Sequence, residues 1–78
     1  MRRGDTLRLT GDLTYAIGWD SPDGSDDSAR KASAWAALLI THREVVVVVD
    51  PPNAARRVRV LRPGGHMIWV HESWMEVV

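Results

Sequence analysis

A run of five consecutive valines, "EVVVVVD" at residues 44 to 50, constrains this chain more than any other stretch. β-branched side chains favour extended backbone, so the run predicts a strand. A half-buried strand alternates apolar and polar residues, because successive side chains point to opposite faces of a sheet. Here valine occupies both faces. The pattern therefore requires cover on both sides, either from the rest of the chain or from another molecule.

Strand alternation divides the valine run into two sets. Val45, Val47 and Val49 lie on one face, and Val46 and Val48 lie on the other. We expect the first set to fill the interior and Val46 and Val48 to face outward. An apolar strand with no charged residue inside it is prone to aggregation when it is uncovered. A partner, or the long loop described below, is therefore predicted to cover Val46 and Val48.

Length and composition exclude several classes of protein. Seventy-eight residues make one domain (residues 1–78) with a thin core. Cysteine is absent, which excludes disulfides, thiolate metal sites and cysteine nucleophiles. Ten basic and ten acidic residues cancel, so net charge does not favour nucleic acid or membrane. Neither a membrane span nor a signal peptide is predicted, because no apolar run has the required length and position.

Alternation and turn residues place most of the strands. "TLRLT" predicts a first strand with Leu7 and Leu9 buried, after a Gly-Asp turn. Residues 11–33, which contain "GWDSPDGSDDS", predict one long acidic loop with a short pairing near residues 13–17. Residues 35–40 predict a strand, with a short helix over residues 34–40 as the alternative.

In the second half of the chain, turn residues separate the predicted strands at more regular intervals. Prolines 51 and 52 end the valine strand, because proline cannot donate to a ladder. "RRVRVLR" then alternates, with Val58 and Val60 predicted inside and Arg57 and Arg59 outside. "PGG" predicts a hairpin turn, "HMIWVH" a strand, "ESW" a single helical turn and "MEVV" a last strand. The predicted fold class is all-β, a small SH3-like barrel of five or six short antiparallel strands.

Both ends of the chain resemble the small SH3-like barrel proteins that are common in bacteriophage genomes. "GDTLRLT" is similar to their Gly-Asp start, and "WVHESWMEVV" is similar to their Trp-Val strand, Ser-Trp turn and acidic-valine ending. The resemblance implies a phage protein located in the virion or the host cytoplasm. Trp74 also occupies a position similar to that of a tyrosine that lines the peptide groove of eukaryotic SH3 domains. Those domains have further groove aromatics early in the sequence, and Tyr15 or Trp19 would take that place here.

The four tryptophans suggest different roles. Trp35 and Trp69 lie in apolar segments and are interpreted as core or barrel-face residues. Trp19 lies beside Asp20 in the polar loop, where it is either an interface anchor or packs back over the barrel.

The sequence gives little evidence for metal binding or catalysis. The acidic loop lacks the spacing of a calcium-binding loop, and His66 and His71, five residues apart on a strand, point to opposite faces. Ser73 beside His71 lacks the geometry of a catalytic pair. We therefore predict no enzyme activity, cofactor or metal.

A binding or assembly role remains. The predicted function is a structural or interaction module that contacts a capsid protein, a tail protein or copies of itself, as a head decoration, connector or tail accessory protein. One alternative is a nucleic-acid-binding barrel that uses the arginines of residues 56–62. Another is an intracellular phage protein that binds a host protein. The predicted partner-binding residues are Trp19, Val46, Val48, Arg57, Arg59 and Trp74.

Overall fold

A computed structural model describes residues 1–23 and 38–78 of the chain. These residues form seven strands and one 3-10 turn: β1 (Thr6–Leu9), β2 (Tyr15–Ile17), β3 (Leu39–Thr41), β4 (Val46–Asp50), β5 (Arg57–Leu61), β6 (Met67–His71), the 3-10 turn (Glu72–Trp74) and β7 (Met75–Val77). The prediction of a small all-β domain is confirmed. The late tight hairpin and the helical turn before the last strand occur in the predicted order. Of the loop predicted over residues 11–33, only residues 11–23 are among the described residues.

The strands form two antiparallel sheets. The larger sheet has the order β6-β5-β4-β1-β7, and the smaller one pairs β2 with β3. Among the described residues the two sheets do not close into a continuous barrel. They are joined instead by an isolated antiparallel bridge between Trp19, just after β2, and Trp69 in the end strand β6.

The hairpin between β5 and β6 follows from the "PGG" sequence. Gly65 has φ +88°, a left-handed conformation that side chains disfavour. Its N–H donates to the carbonyl oxygen of Arg62 at 2.9 Å, and the N–H of Arg62 donates to the carbonyl oxygen of His66 at 2.9 Å. The turn fixes the register of β5 against β6, in which Leu61 lies opposite Met67 and Val58 opposite Val70.

The core lies between the inner faces of the two sheets. Leu7 and Leu9 alternate with exposed residues along β1, as the sequence predicted. β4 and β5 each present two valines to the same core, and β6 presents Ile68 and Val70. The buried apolar residues are Leu7, Leu9, Ala16, Leu38, Ile40, Val46, Val48, Val58, Val60, Ile68, Val70 and Met75.

The predicted orientation of the valine run is wrong. Val46 and Val48 are 0% and 1% exposed and belong to the core, whereas Val45 and Val47 are 47% and 38% exposed. Register explains the reversal: Val46 lies opposite the buried Leu7 of β1, and Val48 lies opposite the buried Val60 of β5. Directly paired residues share a face of the sheet, so the even-numbered valines face inward.

Part of the central prediction lies outside the described residues. Trp35, the acidic residues Asp26 and Asp27, and residues 34–37 of the segment predicted as strand or short helix all fall there. The described remainder of that segment contributes to β3, which pairs with β2 and so confirms a short pairing near residues 13–17. Within the described residues, no helix is long and apolar enough to cross a membrane.

Candidate protein-binding surface

A stack of aromatic and cationic side chains forms beside the bridge between the sheets. The rings of Trp19 and Trp74 are stacked, with their centroids 4.9 Å apart and their planes 24° from parallel. The guanidinium carbon of Arg57 lies 3.6 Å from the centroid of Trp19. Because the guanidinium occupies one face of this indole, the stacked Trp74 ring packs on the other. We call Arg57, Trp19 and Trp74 the tryptophan stack.

Backbone contacts fix the position of Trp19. Its N–H donates to the carbonyl oxygen of Trp69 at 2.8 Å, and the N–H of Trp69 donates to the carbonyl oxygen of Trp19 at 2.9 Å. Gly18 allows this approach, since a Cβ there would lie 2.7 Å from the Trp69 carbonyl oxygen and 2.9 Å from Cδ1 of Ile68. Any side chain at position 18 would therefore push the two backbones apart.

Arg57 lies on the outer face of β5 as predicted, but the expectation that it is solvated there is wrong. The residue is 8% exposed, although it lies on the face of β5 opposite Val58 and Val60. Trp19 covers its guanidinium, and Nη1 donates to the carbonyl oxygen of Ser21 at 3.1 Å. Arginine tolerates such cover because its long apolar stem packs well and its flat guanidinium stacks on an aromatic face.

The turn before Arg57 is organised by Asn53. Its Oδ1 accepts hydrogen bonds from the N–H groups of Ala55 and Arg57, at 2.9 and 3.0 Å. Its Nδ2 donates to the carbonyl oxygen of Pro22 at 2.8 Å. One side chain therefore shapes the turn between β4 and β5 and also ties it to the segment that follows Trp19.

The 3-10 turn positions Trp74. Nδ1 of His71 accepts a hydrogen bond from the N–H of Ser73 at 3.2 Å and contacts the Ser73 hydroxyl at 2.8 Å, so the imidazole caps the turn. The His71 ring also lies 5.8 Å from the Trp74 ring. Trp74 itself is half-buried and packs against the core, which holds it firmly under Trp19.

The remaining arginines of residues 56–62 are paired with carboxylates. Arg56 Nε lies 2.6 Å from Oε1 of Glu72, and Arg62 Nη2 lies 2.9 Å from Oε1 of Glu44. Arg59 Nη1 lies 3.7 Å from Oδ2 of Asp50. Arg56 and Arg62 therefore each have a carboxylate of their own, whereas Arg59 shares Asp50 with Arg3, whose Nη2 lies 3.6 Å from Oδ1.

The predicted binding residues separate into three groups. Trp19, Arg57 and Trp74 meet in the tryptophan stack. Arg59 does not belong to the stack. Its guanidinium carbon lies 5.9 Å from the ring centroid of Trp69, the residue that is bridged to Trp19. Val46 and Val48 lie in the core and take no part.

Three residues that build the stack were not predicted as site residues. Gly18 allows the backbones at Trp19 and Trp69 to come close together. Asn53 caps the turn before Arg57, and His71 caps the 3-10 turn before Trp74. A sequence signal existed for Asn53 alone, because asparagine after two prolines favours a side-chain-capped turn.

A cleft of about 370 Å³ lies elsewhere, at the end of β1, and its lining includes Leu9, Thr14 and His42. The Arg8 guanidinium and the Glu76 carboxylate on its wall are 3.0 Å apart, and both side chains are about half exposed. Their charges satisfy each other, so this cleft is a weaker candidate than the stack. Among the described residues, no three histidine or acidic side chains cluster in a way that could hold a metal ion.

Comparisons of the chain with protein-family models, curated proteins and solved structures gave no match.

Proposed function

We propose that the chain is a non-enzymatic binding module that takes a protein partner on the tryptophan stack. The single observation that carries the proposal is the partly exposed Trp19–Trp74 pair, stacked at 4.9 Å and backed by the Arg57 guanidinium. Tryptophan and arginine are the residue types that contribute most to protein-binding energy.

The rigidity of the stack also favours binding. Trp19 is held by two backbone hydrogen bonds, and Trp74 is held by a capped turn against the core. Side chains that are already ordered lose little conformational entropy when a partner covers them. Both indoles are partly exposed, so each presents apolar area that a protein surface could cover.

A catalytic role for Ser73 and His71 has less support. Nδ1 of His71 already accepts the N–H of Ser73, so it serves the backbone of the 3-10 turn. A nucleophile needs a base that is oriented by a third group, and the described hydrogen bonds give His71 no carboxylate partner.

Nucleic acid is also a weaker candidate than protein. Binding to phosphates depends on cations that can replace counterions. In the segment of residues 56–62, three arginines face carboxylates and the fourth is covered by Trp19. Binding phosphate would require these pairs to break, which disfavours the alternative raised from the sequence.

The resemblance of both chain ends to phage barrel proteins supports a phage setting. We infer that the chain is a virion component, in the role of head decoration, connector or tail accessory protein, and that its partner is a capsid or tail protein. An intracellular phage protein that binds a host protein is the alternative, and it would use the same surface.

Two measurements test the proposal. Mass spectrometry of purified particles of the encoding phage should detect the chain in a fixed ratio to a capsid or tail protein, and cross-linking within the particle should identify the contacting protein. Absence from particles would reject the virion role and leave the host-protein alternative.

Binding of the identified protein should then depend on the stack. Trp74→Leu keeps an apolar contact with the core but removes the stacking partner of Trp19, and we expect affinity to fall at least about tenfold, the scale of a modest hot spot. Tyr15→Ser is the matched control, because Tyr15 is an aromatic residue that is 60% exposed on β2 and outside the stack. Equal affinity of Trp74→Leu and the wild type would reject the stack as the binding surface.

A further inference from the structure

The backbone of Arg56 is strained. Its φ is +62°, and among residues 1–23 and 38–78 no other residue except glycine has a positive φ. A residue with a side chain costs free energy in this left-handed region, which glycine occupies freely and asparagine more readily than most residues. Arg56 lies exposed in the turn between β4 and β5, where glycine or asparagine would relieve the strain. The arginine therefore requires a reason other than the turn itself.

The side chain and the backbone of Arg56 both hold Glu72. Nε of Arg56 donates to Oε1 of Glu72 at 2.6 Å. The carbonyl oxygen of Arg56 accepts the N–H of Glu72 at 2.8 Å, and the N–H of Arg56 donates to the carbonyl oxygen of Asn53 at 2.9 Å. We call the two contacts between Arg56 and Glu72 the arginine clamp. The clamp fixes Glu72 against the turn between β4 and β5.

Glu72 begins the 3-10 turn that carries Trp74. Its carbonyl oxygen accepts the N–H of Met75, so the turn runs from Glu72 to the start of β7. His71 caps this turn from the residue just before it, whereas the arginine clamp ties the turn to a different part of the chain. The clamp therefore bears on where the ring of Trp74 lies.

Arg56 and Arg57 act on the two tryptophans of the stack from neighbouring positions. The guanidinium carbon of Arg57 lies 3.6 Å from the centroid of Trp19. Arg56 instead reaches Glu72, two residues before Trp74. Both rings of the stack are thus held from the same end of β5, one by direct contact and the other through the 3-10 turn.

Stability alone does not account for Arg56. Its side chain is 63% exposed and that of Glu72 is 29% exposed. Ion pairs that are open to water contribute little to stability, and a left-handed conformation at a residue with a side chain costs as much or more. Strained residues of this kind are found where they serve a binding or catalytic site.

We propose that Arg56 is a positioning residue of the tryptophan stack, which holds the turn that carries Trp74 by means of the arginine clamp. The inference rests on the proposed function, because it concerns the geometry of the same surface. It predicts that a change at Arg56 disturbs the stack without weakening the fold.

Circular dichroism of the full chain tests this prediction. Two stacked indoles give a pair of bands of opposite sign because their electronic transitions couple, and Trp74→Leu defines the spectrum without these bands. Arg56→Asn suits the left-handed backbone but is too short and uncharged to form the clamp. We expect the paired bands to weaken, while the melting temperature stays equal or rises by up to about 8 °C. Unchanged bands, or a melting temperature below that of the wild type, would overturn the proposal.

Three further variants separate the clamp from general effects. Glu72→Gln removes the other charge and should weaken the paired bands as Arg56→Asn does, with no further loss in the double variant. Arg56→Lys keeps a cation on a long stem and should retain the bands. Arg8→Asn is the matched control, because it breaks a comparably exposed ion pair with Glu76 outside the stack. A lysine variant no better than asparagine, or an equal loss in Arg8→Asn, would contradict the positioning role.

Affinity for the capsid or tail protein identified by cross-linking gives the last readout. Arg56→Asn should bind it about two- to fivefold more weakly, the scale of an exposed ion pair. If Trp74→Leu binds as well as the wild type, the proposed function fails, and the spectra still decide whether Arg56 positions the stack. If Trp74→Leu loses affinity and Arg56→Asn does not, the positioning role fails alone.

Discussion

Trp19 and Trp69 exchange two backbone hydrogen bonds, of 2.8 and 2.9 Å, across the boundary between the two sheets. Trp69 belongs to the end strand β6, and Trp19 follows β2 of the smaller sheet. An end strand leaves backbone groups open to other chains, and this bridge satisfies two of them inside the domain. The same bridge holds the indole of Trp19 against Arg57 and Trp74. The stability of the fold and the shape of the tryptophan stack therefore depend on one contact.

Replacing Gly18 with alanine should weaken this contact. The added Cβ would lie 2.7 Å from the Trp69 carbonyl oxygen, so the backbones must separate and the bridge must lengthen. We expect the free energy of unfolding in urea to fall by about 1 to 3 kcal/mol. Gly11→Ala is the matched control, because a Cβ at Gly11 meets nothing within 4 Å. Equal stability of the two variants would show that the bridge adjusts without cost.

The orientation of the valine run can be tested by a matched pair of substitutions. Val46→Thr places a hydroxyl in the core, where Val46 is 0% exposed, and should lower the free energy of unfolding by about 1 to 3 kcal/mol. Val47→Thr makes the same chemical change on the outer face and should alter stability by less than about 0.5 kcal/mol. Thermal and urea denaturation of both variants measure the difference. A larger loss for Val47→Thr would restore the orientation predicted from the sequence.

Asn53 should be necessary for the turn that precedes the buried Arg57. Asn53→Ala removes both hydrogen bonds accepted by Oδ1 and the one donated to Pro22, and should cost about 1 to 3 kcal/mol in stability. Asn53→Asp keeps an acceptor for Ala55 and Arg57 but loses the donor to Pro22, so its loss should be smaller. Urea denaturation ranks the three proteins, and an aspartate variant no better than alanine would contradict the capping role of Oδ1.

Much of the fold could be predicted because its local signals agree. Alternation in "TLRLT", the "PGG" turn and the single turn at "ESW" all depend on neighbouring residues, and all three formed as predicted. The orientation of the valine run could not be predicted in this way. A strand with valine on both faces contains no polar residue to mark the outside, so its orientation depends on pairing with β1 and β5.

The candidate site was predicted only in part for a similar reason. Trp19, Arg57 and Trp74 were each recognisable by residue type, but their contact joins three segments that are distant in sequence. Strand alternation correctly predicted that Arg57 lies on the outer face. It did not predict that Arg57 is buried, because alternation carries no information about a tryptophan from another element that covers the residue. Gly18 and Asn53 contribute through backbone geometry, which residue type alone does not reveal.

A double-mutant cycle should show that Arg57 and Trp19 are energetically coupled. Arg57→Met keeps most of the apolar stem but removes the guanidinium that lies 3.6 Å from the Trp19 centroid, and Trp19→Leu removes the ring. If the cation and the ring attract each other, the double variant should lose less stability than the sum of the single losses, by about 1 kcal/mol.

Arg8 provides the control pair with Trp19, because its side chain is 55% exposed and pairs with Glu76 on the opposite edge strand β7. The losses from Arg8→Met and Trp19→Leu should therefore add to within about 0.5 kcal/mol. Urea denaturation of all the variants gives both coupling energies. A coupling for Arg57 no larger than that for Arg8 would mean that Trp19 covers the guanidinium without attracting it, and that Arg57 is held mainly by its stem and by the Ser21 carbonyl.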